Sequence, residues 1–95
     1  MIGNRTAGNK IHELKILPEY FNAVIDGRKT FEIRKNDRDF AVGDTLVLKE
    51  WNQINRMPTG REQRCEITYI LEGNEETKGY GLMKGFCIMS IMQKW

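Results

Sequence analysis

One histidine and two cysteines in 95 residues leave little from which to build a Cys/His metal centre. His12, Cys65 and Cys87 show no Cys-x-x-Cys or Cys/His ligand spacing, so neither a metal nor a cofactor is expected. The two cysteines each lie inside an apolar, strand-like run, which predicts buried free thiols. No apolar run approaches the ~18 residues of a membrane span, and Met1 to Lys10 lacks the apolar core of a secretory leader. A cytoplasmic protein with no membrane partner is therefore expected. Internal repeats, low-complexity tracts, a P-loop, a Rossmann glycine pattern and a Ser/His/Asp spacing are also missing. The net charge of +2 is too small to imply a nucleic-acid partner, so only its distribution is informative.

The charged fraction of 29% and hydrophobic fraction of 40% are ordinary globular values, and the length suits a single modest core. Residues 1–10, small and polar without periodicity, are expected as a flexible tail, and residues 11–95 as one domain, taken as a monomer. Ile11 to Ile16 alternates as a strand with His12, Leu14 and Ile16 on one face. His12 is then either a residue packed or hydrogen-bonded at a barrel mouth or a ligand contact. Pro18 suits the first turn of a helix, Glu19 favours the positive end of its dipole, and Gly27 is placed as a left-handed stop. This predicts a helix over 18–26 whose Phe21, Val24 and Ile25, flanked by Tyr20, form a core stripe.

Further along, Gly43-Asp44 is a turn signal opening a strand over Thr45 to Trp51, followed by a loop over 52–60. Gln63 to Leu71 alternates again, with Cys65, Ile67, Tyr69 and Leu71 on one face, and a hairpin with the preceding strand is the economical pairing. Residues 72–81 are glycine-rich and acidic and read as a mobile loop. Phe86 to Met92 is a near-continuous apolar run that reads as a strand buried on both faces. The sum is a mixed α+β, mainly β fold: a small barrel of about five strands with one helix after the first.

Charge concentrates between Arg28 and Arg38, where Arg28, Lys29, Arg34, Lys35 and Arg38 outnumber Glu32 and Asp37 by three. Period-two alternation there would send Phe31 and Ile33 to the core and display Thr30, Glu32 and Arg34 on the other face. Arg34 can fork two donors onto a phosphate or base edge, Lys29 supplies a point charge, and Glu32 can accept from an exocyclic amine. The competing reading is a surface ion pair worth ~0 to 1 kcal/mol. Asn36 and Asp37 suit a turn that caps backbone N–H groups and fixes the strand end, with Arg38 near the rim.

A strand running into a Pro-led helix, then Gly27-Arg28-Lys29-Thr30-x-Glu32-x-Arg34, then Val42-Gly43-Asp44, resembles the ASCH domain, whose relatives have the PUA-like β-barrel. His12-Glu13-Leu14-Lys15, Phe31 to Arg38 and Ile67-Thr68-Tyr69-Ile70-Leu71 are similar to a small bacterial and phage branch of that superfamily, over about residues 11–92. The resemblance implies a cleft beside the helix that binds RNA or a nucleotide, with Lys29, Glu32 and Arg34 matching its Lys, Glu and Arg. Lys15, Lys35 and Arg38 are expected to extend that site. Small amidohydrolases acting on N4-acetylcytidine share the Gly-Arg-Lys-Thr segment; Lys29 matches their lysine, and Glu32 stands where their nucleophilic threonine would be. The alternative is thus an enzyme on RNA or a modified nucleoside, amidohydrolase-like or nuclease-like, with Lys29 and Glu32 as acid/base residues. A third reading, a protein-interaction module, calls for an exposed apolar patch.

Overall fold

The structure is a computed structural model and describes residues 8–94. Seven elements follow one another: β1 (Ile11–Ile16), α1 (Pro18–Ile25), β2 (Phe31–Lys35), β3 (Thr45–Asn52), β4 (Met57–Glu72), α2 (Glu75–Lys78) and β5 (Phe86–Gln93). The strands form one sheet in the order β1-β3-β4-β5-β2, with β1 parallel to β3 and every other pairing antiparallel. This curled half-barrel, mainly β with a helix after the first strand, is the expected fold class. β1 and β2 are its two edges, and the seam between them is bridged by side chains in place of a ladder.

Leu14, Ile16, Phe21, Val24, Leu46, Leu48, Cys65, Ile67, Cys87 and Met89 share one buried cluster under α1. The alternation of β1 has the expected phase, with His12, Leu14 and Ile16 inside. In α1 only Phe21 and Val24 are buried, whereas Tyr20 and Ile25 are exposed, so the stripe is narrower than expected. Gly27 ends the helix at φ +83°, a conformation that costs glycine nothing. Both cysteines are buried free thiols, as expected.

Four further expectations are corrected. The residues 8–10 of the expected tail are tied down: Gly8 N–H donates to Val42 O at 2.6 Å and Thr45 N–H to Lys10 O at 2.9 Å, while residues 1–7 lie outside the described residues. The loop over 52–60 shrinks to a turn at 53–56, because Asn52 Oδ1 accepts from Ile54 N–H and Asn55 N–H and lets β4 begin at Met57. The acidic loop contains α2, whose Asn74 accepts from Glu76 N–H and Thr77 N–H while Thr77 Oγ1 accepts from Asn74 N–H, a reciprocal cap that satisfies a short helix. β5 alternates, with Cys87, Met89 and Ile91 inside and Phe86 and Met92 outside.

Two phase changes have the largest consequences. Between Ile67 and Tyr69 the β4–β5 register shifts, and the extra residue turns Tyr69 and Leu71 outward while Ile70 packs on the core. In β2 the alternation is as expected but its phase is opposite: Glu32 is 3% exposed, whereas Phe31 and Ile33 are 45% and 55% exposed. Pairing of Glu32 with the buried Met89 fixes this phase, since a slip of one residue exchanges the two faces. A carboxylate tolerates the inner face only because two cations meet it there.

Asp44, fully buried, organises the opposite end of the seam. Its carboxylate accepts from His12 Nε2 at 2.8 Å, Ala41 N–H at 3.0 Å and Lys10 N–H at 3.1 Å. A carboxylate only accepts, so His12 Nε2 carries the proton. A Cβ on Gly8 would lie 2.1 Å from Asp44 Oδ1, so the chain passes this close only as glycine. His12 also packs edge-on to Phe40, with ring centroids 4.8 Å apart, so the packed and hydrogen-bonded reading of His12 is the one observed. Burial pushes the Asp44 carboxyl up, but the bonds from His12, Ala41 and Lys10 outweigh it and hold the group below its ordinary 3.8. A lowered folded pKa stabilises above the unfolded value and is lost as pH falls through it. Asp44→Ala should therefore cost on the order of 3 kcal/mol in urea unfolding at pH 7, and the gap to wild type should narrow steadily below about pH 4.

Candidate functional site at the seam

Where β1, α1 and the edge of β2 converge, a cleft of about 590 Å³ opens, lined by Lys15, Ile16, Leu17, Tyr20, Ala23, Arg28, Lys29, Phe31, Glu32, Ile33 and Arg34. Its walls are largely apolar and aromatic; its charge lies on β2 and the turn before it, with Lys15 added from β1. Lys29 N–H donates to Ala23 O at 2.9 Å, which fixes the turn between α1 and β2 and aims the Lys29 side chain along the strand.

The charged group at the cleft is a three-residue clasp. Lys29 Nζ donates to Glu32 Oε1 and, at 2.7 Å, to Phe31 O. Arg34 Nε donates to Glu32 Oε2 at 2.9 Å, and Arg34 Nη2 reaches across the seam to Lys15 O at 2.7 Å. The side chains of Lys29 and Arg34 remain 15% and 26% exposed above a carboxylate that is 4% exposed. Burying a carboxylate without partners would cost several kcal/mol, and each oxygen here has a charged donor. One Lys29 hydrogen and three Arg34 hydrogens are not used in these bonds, and each Glu32 oxygen keeps a second lone pair. Lys29 Nζ also lies 5.0 Å from the Phe31 ring centroid and 5.9 Å from that of Tyr20. The site therefore offers donors and an acceptor side by side, between aromatic surfaces.

Cys65 lies beneath this group. Burial pushes its thiol up to about 11, with the Glu32 carboxylate adding to the rise and Lys29 opposing it. That thiol is a packing residue and not a nucleophile at neutral pH.

Of the residues expected at the site, Lys15, Lys29, Glu32 and Arg34 line one cleft. Lys15 Nζ also stacks on Trp51, 4.0 Å from its ring centroid. Lys35 does not join them: it stands at the far end of β2, paired with Phe86, beyond the residues that line the cleft. Arg38 stands farther along the seam, donating to Glu13 O at 2.7 Å, so it bridges the two edges outside the cleft lining. The expected turn-capping role of Asn36 and Asp37 is not what these side chains do. Asn36 Nδ2 donates to the Glu72 carboxylate at 2.8 Å, and Asp37 lies 3.9 Å from Arg38 as an exposed ion pair. Arg28 lines the cleft but is paired with Asp26 at 2.9 Å.

The apolar wall, Leu17, Tyr20 and Ala23, was missed by sequence reasoning. The available signal was that Tyr20 and Ala23 sit three apart and off the Phe21/Val24 stripe, a second helix face for which the core had no use.

A third buried carboxylate holds the helix in place. Glu50, 5% exposed, accepts from Arg61 Nη2 at 2.7 Å and Thr59 Oγ1 at 2.6 Å. Arg61 and Thr59 hold its carboxyl below the ordinary range against the effect of burial. Arg61 also reaches Asn22 Oδ1 at 2.8 Å and lies over the Phe21 ring, so β4 pins α1 above the sheet. Among the described residues no group of three or more His, Cys, Asp or Glu side chains is placed to hold a metal ion.

Fold and site together define a small half-barrel domain with a charged, aromatic-walled cleft at its open seam. Residues 11–91 match the family described as "Domain of unknown function (DUF3850)", and the chain belongs to it. It is also 39% identical over 74 residues to a protein of Escherichia phage P2 described as an uncharacterized 12.9 kDa protein in the GpA 3' region. That match takes in 78% of this chain and 66% of the phage protein, so the chain spans about two thirds of its relative's length.

The inverted phase of β2 makes a direct prediction. Glu32→Ala, which strands two partly buried cations, should cost about 2 kcal/mol in urea unfolding. Ile33→Ser, on the outer face, should cost under about 1 kcal/mol. The opposite ranking would mean that the faces are assigned wrongly.

Proposed function

We propose that this domain binds RNA or a nucleotide in the seam cleft, with a base held between the aromatic wall and the Lys29–Glu32–Arg34 clasp. The observation that carries this reading is the buried Glu32 carboxylate with one cation on each oxygen, at a cleft of base-accommodating size. A bare polyanion site would have no use for a carboxylate, since that charge repels phosphate. A base edge presents donors and acceptors together, which is what the uncommitted hydrogens of Lys29 and Arg34 and the lone pairs of Glu32 complement. Tyr20 and Phe31 add faces on which a base can stack. The Arg34–Lys15 bond holds the guanidinium in place before any ligand arrives, which spares part of the ordering cost of binding.

The resemblance to the ASCH domain and its PUA-like relatives supports the same cleft, as does the order of motifs that carries it. Among the described residues no helix is long and apolar enough to cross a membrane. An acid/base role for Lys29 and Glu32 is the alternative reading, which the hydrogen bond between the two side chains permits.

Anisotropy titrations of labelled single-stranded RNA test the proposal. Arg34→Ala should weaken binding by roughly ten-fold or more, as expected for lost charged hydrogen bonds, whereas Lys78→Ala on α2 should leave it unchanged. The salt dependence should be shallow, with a slope of about −0.7 for each phosphate contacted. Equal affinity for wild type and Arg34→Ala would remove the site.

A further inference from the structure

The face of the sheet opposite the core carries a second surface that the cleft does not account for. Register places Phe31, Ser90 and Tyr69 in one row across β2, β5 and β4, and Ile33, Ile88 and Leu71 in the next. Phe86 extends the patch at one end and Met92 at the other. Tyr69 is 65% exposed, Met92 57%, Ile33 55%, Phe31 45%, Phe86 43% and Leu71 42%. The bulge between Ile67 and Tyr69 turns Tyr69 and Leu71 out, the inverted phase of β2 turns out Phe31 and Ile33, and the alternation of β5 does the same for Phe86 and Met92. Three departures from the expected pattern thus build one apolar face.

We propose that this face is a homodimer interface, on which a second copy of the same chain packs sheet to sheet. The area supports it. The exposed parts of these side chains amount to roughly 600 Å² of apolar surface, the upper end of what a monomer leaves open. Two copies would bury at most roughly 1,200 Å² together, the lower limit of specific interfaces, less whatever parts of Phe31 and Ile33 stay open to the cleft.

Charge placement supports a copy of the chain over an unrelated partner. Lys35 stands at one corner of the patch, paired with Phe86 at the end of β2. Glu66 of β4 stands at the opposite corner, paired with Met92 of β5. A two-fold axis lying in the interface, perpendicular to the line from Lys35 to Glu66, sets Lys35 of each copy against the partner's Glu66, with the strands of the two sheets crossing obliquely. The interior of the patch holds no charge that the second copy would have to desolvate. Phe31 and Ile33 belong to both the patch and the lip of the cleft, so each copy's cleft opens at the margin of the interface.

Sedimentation equilibrium of the full chain, from low to several hundred micromolar, tests the inference. A mass rising from 11.1 kDa to twice that value is expected. Leu71→Glu and Tyr69→Glu, both on β4 and away from the cleft, should each weaken dimerisation by ten-fold or more without changing the circular dichroism spectrum. Should either variant fail to fold, the charge pair decides: Lys35→Glu alone should weaken the dimer, and Lys35→Glu with Glu66→Lys should restore it. A chain that stays at 11.1 kDa throughout overturns the proposal and leaves the face to a different protein. A dimer untouched by all of these substitutions overturns it as well, because the contact must then lie elsewhere.

Discussion

A curled sheet of five strands that does not close must do something with its two free edges, and here the edges are joined by side chains. Arg34 and Arg38, on and just beyond β2, donate to Lys15 O and Glu13 O of β1, two unpaired carbonyls of the opposite edge. Those bonds do what a ladder would have done while leaving space between the strands. The space is the cleft. Glu32 can be buried at its floor only because Arg34 already stands there to bridge the seam and Lys29 arrives from the turn after α1.

Three buried carboxylates divide the work of holding this arrangement. Asp44 ties the start of β1 and the turn before β3 into one knot through His12 and two backbone N–H groups. Glu50 anchors α1 to β4 through Arg61. Glu32 faces the cleft, and its two cations both line it and stay partly exposed, so it is the carboxylate whose neighbours meet a ligand there. The other two are enclosed by the groups they bind or lie away from the cleft, which marks them as structural.

Period was legible in β1, β2 and α1 but not in β5, whose near-continuous apolar run hides its alternation, and phase was legible only where the charge pattern was simple. In β1, Leu14 and Ile16 share a face with a histidine that can be satisfied inside, so the apolar face and the buried face coincide. In β2 they do not: Phe31 and Ile33 are the apolar pair, yet the buried member is Glu32, because the compensating cations come from Lys29 and Arg34 and from the seam geometry. No local rule exposes that. The β4 bulge is equally silent in the sequence, since Tyr69 and Leu71 continue the alternation of Cys65 and Ile67 without a glycine to announce the extra residue. Lys29, Glu32 and Arg34 were found as a group because they are close in sequence, whereas the Tyr20 wall depends on how α1 is tilted over the seam.

The central claim is that the Lys29–Glu32–Arg34 cleft receives a nucleotide. The most direct measurement is a two-dimensional 1H–15N NMR titration of the labelled chain with each of the four ribonucleoside monophosphates. Saturable shifts are predicted at Tyr20, Lys29, Glu32 and Arg34, together with Leu17 and Phe31, and one or two of the bases should shift them at lower concentration than the rest. A spectrum unchanged by every nucleotide at millimolar concentration, or shifts confined to β4 and β5, would contradict the account.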